Sequence, residues 1–493
     1  MGQHEATVVV RTSSGAVRGR LDDGLAHFQG VPFAASPFGA NRFLAPQPVE
    51  AWDGTRDALA PGSGVPQPVD AADPFGFLYN PATQGEDCLN LAIWSPDVAT
   101  AGLPVMVWIH GGGYAFGAGS ARAHDGSTFA RDGIVHVSIN YRLNVDGFTY
   151  LGEGTDNLGL RDQVVALEWV RDNIAAFGGD PGNVTIFGQS GGGVSVMNLL
   201  AMPSARGLFV RAIAQSGSPY AAVAVDDALE VTAGIAARYG LDATPGAFAT
   251  VPVDQTIQQV NETVMDWLDV AKWGSRTFMI SPFRAVHGTE SLPEPLLEAG
   301  RSSSVPLLTG LARNETVGFL QLLGLTEWAA VEPVLQVLGV DDDIRETYRS
   351  SRGLDGALEV ADAAWTDWAF RIPTYDLVDA RIAAPTHVYE FRFESPMFPP
   401  KLGAVHALEN PFVFDLLEPT LAHGDIGAQL LGEHPPAELA TRMHRAWIDY
   451  ATTGEPGWPS YDAERRATML FDRESELVDD AAGPERLAWA GKR

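Results

Sequence analysis

The chain has one cysteine, Cys88, in 493 residues, so no internal disulfide can form. A reducing compartment fits that count. No apolar run approaches the ~20 residues that span a bilayer. Basic charge is scarce: 33 Lys and Arg stand against 62 Asp and Glu, a net charge of −29. Such a surface repels phosphate backbones and anionic lipid, which argues against nucleic acid and membranes as partners. The start "MGQHEATVVVRTSSGAVRG" lacks a basic stretch followed by an apolar one, the pattern of a secretory leader. "MGQHEA" resembles a myristoylation start, but position six is Ala rather than Ser or Thr. No internal repeat or low-complexity segment stands out. These absences leave a soluble, cytoplasmic protein as the expectation.

What is present is the composition of a globular chain, 45% hydrophobic and 19% charged. At this length a large core forms readily. Continuous apolar, β-rich runs recur: "PVMVWIH" (104–110), "GIVHVSINYR" (133–142), "NVTIFGQS" (183–190), "RAIAQSGS" (211–218), "VPLLTGLARNE" (305–315) and "THVYEFRF" (386–393). Unbroken runs of this kind suit strands covered on both faces. Between the second and third, Leu160, Val164, Leu167 and Ile174 fall at helical spacing. Gly178 and Gly179 then stop the helix, and Asp180-Pro181 makes a turn. Strand, helix, strand is a βαβ crossover. The expected fold is therefore α/β, with a mostly parallel sheet and helices on both faces. The whole chain reads as one domain. Helical insertions at roughly 221–300 and 316–380 would form a lobe over the sheet. Pro and Gly cluster at 61–82, which reads as a long surface loop.

"VTIFGQSGGGVSVMNLL" (184–200) sets one serine among four glycines, between a strand-like and a helix-like run. "GQSGG" (188–192) matches G-x-S-x-G in strand–turn–helix context, where the serine occupies a sharp, strained turn. Gly188 and Gly192 let strand and helix approach closely. Ser190 Oγ would then stand at the carboxyl edge of the sheet, beside a helix N-terminus. A second glycine run, "WIHGGGYAFGAGS" (108–120), ends another strand. Its backbone can turn N–H groups into a cavity, as stabilising a carbonyl oxyanion requires. One run offers a nucleophile and the other a trap for negative charge.

Four stretches extend the pattern: "GVPFAASPFGANRFLAPQPVEAWDG", "EDCLNLAIWSP" (86–96), "GLRDQVVALEWVRDNIAAFGGDPGNVTIFGQSGG" and "AWIDYATTGEPGWPSYD". Together the chain resembles the type-B carboxylesterases of the α/β-hydrolase fold, from about residue 10 to 473. That family includes cholinesterases and bacterial para-nitrobenzyl esterases. The resemblance implies a triad in the order serine, glutamate, histidine. Glu315 occupies the loop after "VPLLTG". Eleven histidines compete. His110 adjoins the glycine run, His136 and His387 sit inside strands, and His4 and His434 lie in polar contexts. The family order selects His406 in "GAVHALENPFVF". It also implies an oxyanion hole from the N–H groups of Gly112, Gly113 and Gly191, and no metal or cofactor. Tyr114, Phe116, Phe319, Leu323 and Phe412 are the expected pocket lining. Arg42 with Glu86, and Arg142 with Asp162, resemble structural ion pairs of the family. Ser216 is a candidate polar group behind the site, and Cys88 a buried thiol.

The chain departs from the family pattern beside its serine, with Gln189 and Gly191 where Glu and Ala are usual. No aromatic choline site is recognisable in "FGFLYNPATQGEDC". The expected activity is hydrolysis of neutral, short-to-medium acyl or aryl esters. Carbamate, amide or thioester cleavage at the same site is the alternative. A non-catalytic binding member of the family would lack part of the triad, and all three residues are present. The partner is then a small-molecule ester, and the expected state a monomer or small homo-oligomer.

Overall fold

Leu103–Ile109 (β6) shows how this sequence builds a two-faced sheet. Val105, Val107 and Ile109 join one buried cluster, while Met106 and Trp108 join another. Successive side chains on a strand point to opposite faces, so an unbroken apolar run feeds two cores at once. Val135–Ile139 (β7) and Gly179–Gln189 (β8) flank it, both parallel to it. Ile186 and Phe187 divide between the same two clusters.

The computed structural model describes residues 6–69, 79–279, 281–397, 403–418 and 424–493. Among them the remaining strands are Thr7–Arg11 (β1), Ala16–Asp22 (β2), Leu25–Pro32 (β3), Thr55–Asp57 (β4), Asn90–Ser95 (β5), Arg211–Gln215 (β9), Val223–Ala224 (β10), Val286–His287 (β11), Leu307–Ala312 (β12), Thr386–Phe391 (β13), Ala467–Phe471 (β14) and Glu476–Asp479 (β15). The main sheet runs β1-β2-β3-β5-β7-β6-β8-β9-β12-β13-β14-β15, with β4 paired to β2. From β7 to β14 every pairing is parallel. Along this order the ends are antiparallel, while β4 runs parallel to β2. β10 and β11 form a separate two-stranded sheet.

The crossover helix spans Leu158–Asn173 and buries Leu160, Val164 and Leu167. A short 3-10 turn carries Ile174 into the core, and Gly178 ends it at φ +91. Gly179 already pairs with Leu103, so Asp180-Pro181 lies within the strand and not in a turn before it. The register slips between Leu103 and Val105, and that slip accommodates residues 180–183. Helices occupy Val225–Tyr239, Val253–Trp267, Trp328–Leu338, Asp342–Arg352 and Ala357–Thr366. The segment expected as a long surface loop is in part interior. Gly64, Val65, Pro66 and Gln67 are buried, and residues 70–78 lie outside the described residues. No described helix is long and apolar enough to cross a membrane.

Candidate active site

β8 delivers Ser190 to the carboxyl edge of the sheet. Ser190 adopts φ +58 and ψ −122, and the helix Gly191–Ala201 starts at the next residue. Positive φ is strained for a residue bearing Cβ, and here it turns the hydroxyl out of the strand. The turn is held from both sides: Ser190 N–H donates to Gln215 O at 2.9 Å, and Val194 N–H to Ser190 O at 2.8 Å. The glycines beside it are needed for space. A Cβ on Gly192 would lie 2.0 Å from Ile109 O, and one on Gly188 2.6 Å from Gly192 C.

The other glycine run leaves β6 and folds back over this turn. Gly112 and Gly113 have φ +101 and +58. Ala115 N–H and Phe116 N–H both donate to Gly112 O, which makes the run a tight turn. A Cβ on Gly191 would sit 3.0 Å from Gly113 N, so the two backbones nearly touch. The N–H groups of Gly112 and Gly113 donate to no acceptor among the described residues. Unpaired donors converging beside a serine can bind a developing oxyanion. Gln67 braces the run: its Oε1 accepts from Gly117 N–H at 2.7 Å and its Nε2 donates to Gly117 O at 2.9 Å. Sequence reasoning missed Gln67, because it lies in the stretch read as surface loop.

β12 ends at Ala312, and Glu315 follows at zero exposure. Its Oε1 accepts from Ala312 N–H at 2.7 Å, and its N–H donates to Thr366 Oγ1 at 3.1 Å. Its Oε2 makes a short contact with His406 Nδ1. Asn314 ties the two loops: its N–H donates to Ala404 O, its Oδ1 accepts from Ala404 N–H, and its Nδ2 donates to Asp362 at 2.8 Å. Burial opposes charge on His406, but the charge and hydrogen bond of Glu315 outweigh it and hold the imidazole pKa above its usual value. The rings of Phe319 and Phe370 lie 5.9 and 5.7 Å from that imidazole.

Ser190, Glu315 and His406 thus gather at one edge, with one qualification of geometry. His406 Nε2 contacts Gln189 Nε2 at 3.2 Å, and Ser190 Oγ has no hydrogen-bond partner among the described residues. Catalytic hydrogen bonds in unliganded enzymes are often open in this way. A second buried carboxyl stands nearby. Glu409 accepts weakly from Gln215 Nε2 at 3.5 Å, and its Oε2 has no partner among the described residues. Burial and then the Glu315 charge push its pKa up to about 7. Its signal in the sequence is slight: an acid three residues after the histidine.

The expected lining divides. Phe319 faces His406, and Phe116 lies 4.7 Å from Tyr79. Leu323 is half-buried against the second core cluster. Tyr114 turns away: its ring stacks on Phe148 at 3.9 Å, and its hydroxyl accepts from Ser195 and Asn198 on the helix Gly191–Ala201. Phe412 has zero exposure and packs on Phe391 and Phe393, so it belongs to the core and not to the lining. Arg142 and Asp162 form the expected buried pair at 2.7 Å. Arg42 pairs with Asp146 at 2.6 Å instead of Glu86. Glu86 is exposed, and a buried guanidinium needs a buried partner. His110, His136 and His387 are packed, His434 is exposed, and His4 lies outside the described residues. Ser216 Oγ is buried without a partner among the described residues, and Cys88 is a fully buried free thiol.

A parallel sheet with the serine turn after β8 and its charged partners on later loops defines an α/β hydrolase. The family model described as the carboxylesterase family matches residues 6–488. The chain is 35% identical to the para-nitrobenzyl esterase of Bacillus subtilis (strain 168), over 97% of each chain. It is 34% identical to phenmedipham hydrolase of Pseudarthrobacter oxydans, over 97% of this chain and 98% of that one. Cocaine esterase of Homo sapiens matches at 31%, over 95% and 89%. The crystal structure of a Geobacillus stearothermophilus carboxylesterase superposes with a TM-score of 0.84 at 34% identity, covering 98% of this chain and 99% of that one. The chain belongs to the carboxylesterase family, and it is a serine carboxylic ester hydrolase.

Proposed function

We propose that the protein hydrolyses neutral, short-to-medium acyl and aryl esters through an acyl-enzyme on Ser190. One observation carries the reading. A strained serine adjoins glycine N–H groups unpaired among the described residues, and the residue before it touches a histidine paired with a buried glutamate. Ser190 Oγ attacks the ester carbonyl carbon as His406 Nε2 takes the hydroxyl proton. Glu315 accepts from Nδ1–H and steadies the imidazolium. The N–H groups of Gly112, Gly113 and Gly191 bind the oxyanion. His406 passes its proton to the departing alcohol. Water then attacks the acyl carbonyl, His406 takes its proton, and the acid leaves as Ser190 regains its hydrogen. These steps need no metal or cofactor.

The net charge of −29 disfavours anionic esters at low salt. Phe319 and Phe370 around the histidine support an apolar lining. Relatives named as esterases support the ester bond as the target. A reducing cytoplasm suits a chain whose single cysteine has no partner within it. The test is kcat/KM over acetyl, butyryl, hexanoyl and decanoyl aryl esters, beside a carboxylate-bearing ester at two salt concentrations. Each added methylene should help by up to about 0.8 kcal/mol, roughly fourfold, until the pocket fills. A preference for the anionic ester that fades with salt would overturn the substrate reading. Ser190→Ala should lower turnover by several orders of magnitude while the fold persists. Full organophosphate labelling of another serine would overturn the nucleophile.

A further inference from the structure

The ring of Phe319 that faces His406 is the first of a row. Between ring centroids, Phe319 lies 6.3 Å from Trp365, Trp365 5.0 Å from Phe278, and Phe278 6.2 Å from Trp368. Trp365 and Phe278 are 1% exposed, whereas Phe319 and Trp368 are half-buried. The row is thus packed on the core along its middle and open at its two ends. A second path ties its outer end to the site. Trp368 and Phe370 share one π-helical turn, Asp367–Arg371, and Phe370 lies against His406 at 5.7 Å. Turns of this kind recur at functional sites.

At Trp368 the row meets a cation. The guanidinium of Arg493 stands 4.7 Å from the Trp368 ring and 3.9 Å from the Tyr220 ring, held between the two. Its Nε donates to Trp368 O at 2.8 Å. Residues 489–493 are anchored around it: Trp489 Nε1 donates to the Tyr348 hydroxyl at 2.8 Å, and Lys492 Nζ pairs with Asp341 at 2.6 Å. Tyr220 is fixed independently. Arg284 donates to its carbonyl oxygen at 2.9 Å and to that of Ala221 at 2.7 Å, and the Tyr220 hydroxyl donates to Asp376 at 3.0 Å. Tyr220 follows β9, the strand whose Gln215 O holds the Ser190 turn. Arg493 therefore bridges two segments that each reach the site.

We propose that Arg493 is a specificity-determining residue: its guanidinium closes the outer end of the aromatic row and sets the length of ester chain that the pocket holds. The proposal rests on the ester-hydrolase reading above. A guanidinium is planar and weakly hydrated, so it offers a face to two rings at once, which an ammonium cannot. The charge of Asp376 acts on Arg493 and offsets it, so the closure presents little free positive charge to anionic esters. Arg493 is exposed, so the closure stands at the solvent boundary and its loss opens the row outward.

The test is the ratio of kcat/KM for a decanoyl aryl ester to that for the butyryl ester. Arg493→Ala should raise this ratio about tenfold, since each methylene newly sheltered contributes roughly fourfold. For the butyryl ester kcat should stay within about twofold of the wild type, because the reacting atoms are untouched. Tyr220→Leu removes the other ring and leaves the carbonyl that Arg284 holds. It should raise the ratio too, and the double variant should do no more than the larger single change, because both open one closure. Where the alanine variant does not fold, as read by circular dichroism melting, Arg493→Lys takes its place. It keeps the charge opposite Asp376, loses the planar faces, and should move the ratio in the same direction. An unchanged ratio, which an anchoring role alone would give, would overturn the proposal. So would ratios that multiply in the double variant. Turnover by Ser190→Ala at the wild-type rate would instead overturn the reading beneath it, and that result concerns the rate and not the ratio.

Discussion

Replacing His136 with phenylalanine should make the protein less sensitive to acid. His136 lies in β7 with zero exposure, and neither ring nitrogen has a partner among the described residues. It stacks on Phe129 at 5.2 Å with the rings 6° from parallel. Burial pushes its pKa down to about 3, and acts alike on His110 and His124, at about 3 and about 4. An unfolded histidine titrates near 6.5. The unfolded chain therefore takes up protons first as pH falls, and stability present above pH 6.5 is lost below it. Between pH 8 and pH 5 each of the three loses about 2 kcal/mol, together about 6 kcal/mol. Glu409 works the other way. Its folded pKa is about 7, against 4.5 for an ordinary glutamate. The folded state protonates first there, which adds about 2.5 kcal/mol over the same range. The raised pKa of His406 acts in the same direction as Glu409. His27, pushed down to about 4 chiefly by burial, adds to the loss, and changes of this size are a large part of the 5–15 kcal/mol typical of a folded domain. Urea unfolding followed by tryptophan fluorescence at pH 8, 6.5 and 5 gives the drop directly. In His136→Phe the drop from pH 8 to pH 5 should shrink by about 2 kcal/mol. The comparison cancels any packing change common to both pH values. An equal drop in variant and wild type would refute the reasoning.

Glu315→Gln leaves the loop's shape but removes the charge on His406 Nδ1; kcat should fall on the order of 10³-fold or more, read by ester turnover. Gly112→Ala places a Cβ 2.1 Å from Phe116 O at φ +101, so activity should collapse even where the variant remains folded by circular dichroism. Gly192→Ala drives a Cβ to 2.0 Å from Ile109 O, and should destabilise by more than about 3 kcal/mol in urea unfolding. Cys88→Ala should keep activity, and the native thiol should resist thiol reagents, because burial holds its pKa well above the usual range. Rapid labelling of the native thiol would contradict that picture.

The strands were legible because each is a continuous apolar run, and a sheet covered on both faces needs that pattern. β6, β7, β8, β12 and β13 lie inside the runs read from the sequence, or within a few residues of them. The serine turn was legible because close approach of strand and helix demands glycine at fixed offsets. Contacts between distant segments were not. Gln67, Asn314 and Gln189 act through carboxamides aimed at residues 50, 90 and 217 positions away, and no local pattern encodes that aim. Phe412 shows the opposite error. Nearness in sequence to His406 suggested a place in the pocket, but the helix Asn410–Val413 turns it into the core. Arg42 misled for a similar reason, since the choice between Glu86 and Asp146 depends on which acid is buried.

His406 lies 217 residues beyond the glutamine that precedes the nucleophile. At about 5–20 residues per second, a ribosome needs roughly 10–45 s to bridge that interval. With the triad proposed above, the nascent chain carries Ser190 and its glycine cradle well before the proposed base exists. On that proposal, hydrolytic power is switched on late, by the arrival of the final third of the polypeptide. Turnover is then a reporter of complete assembly.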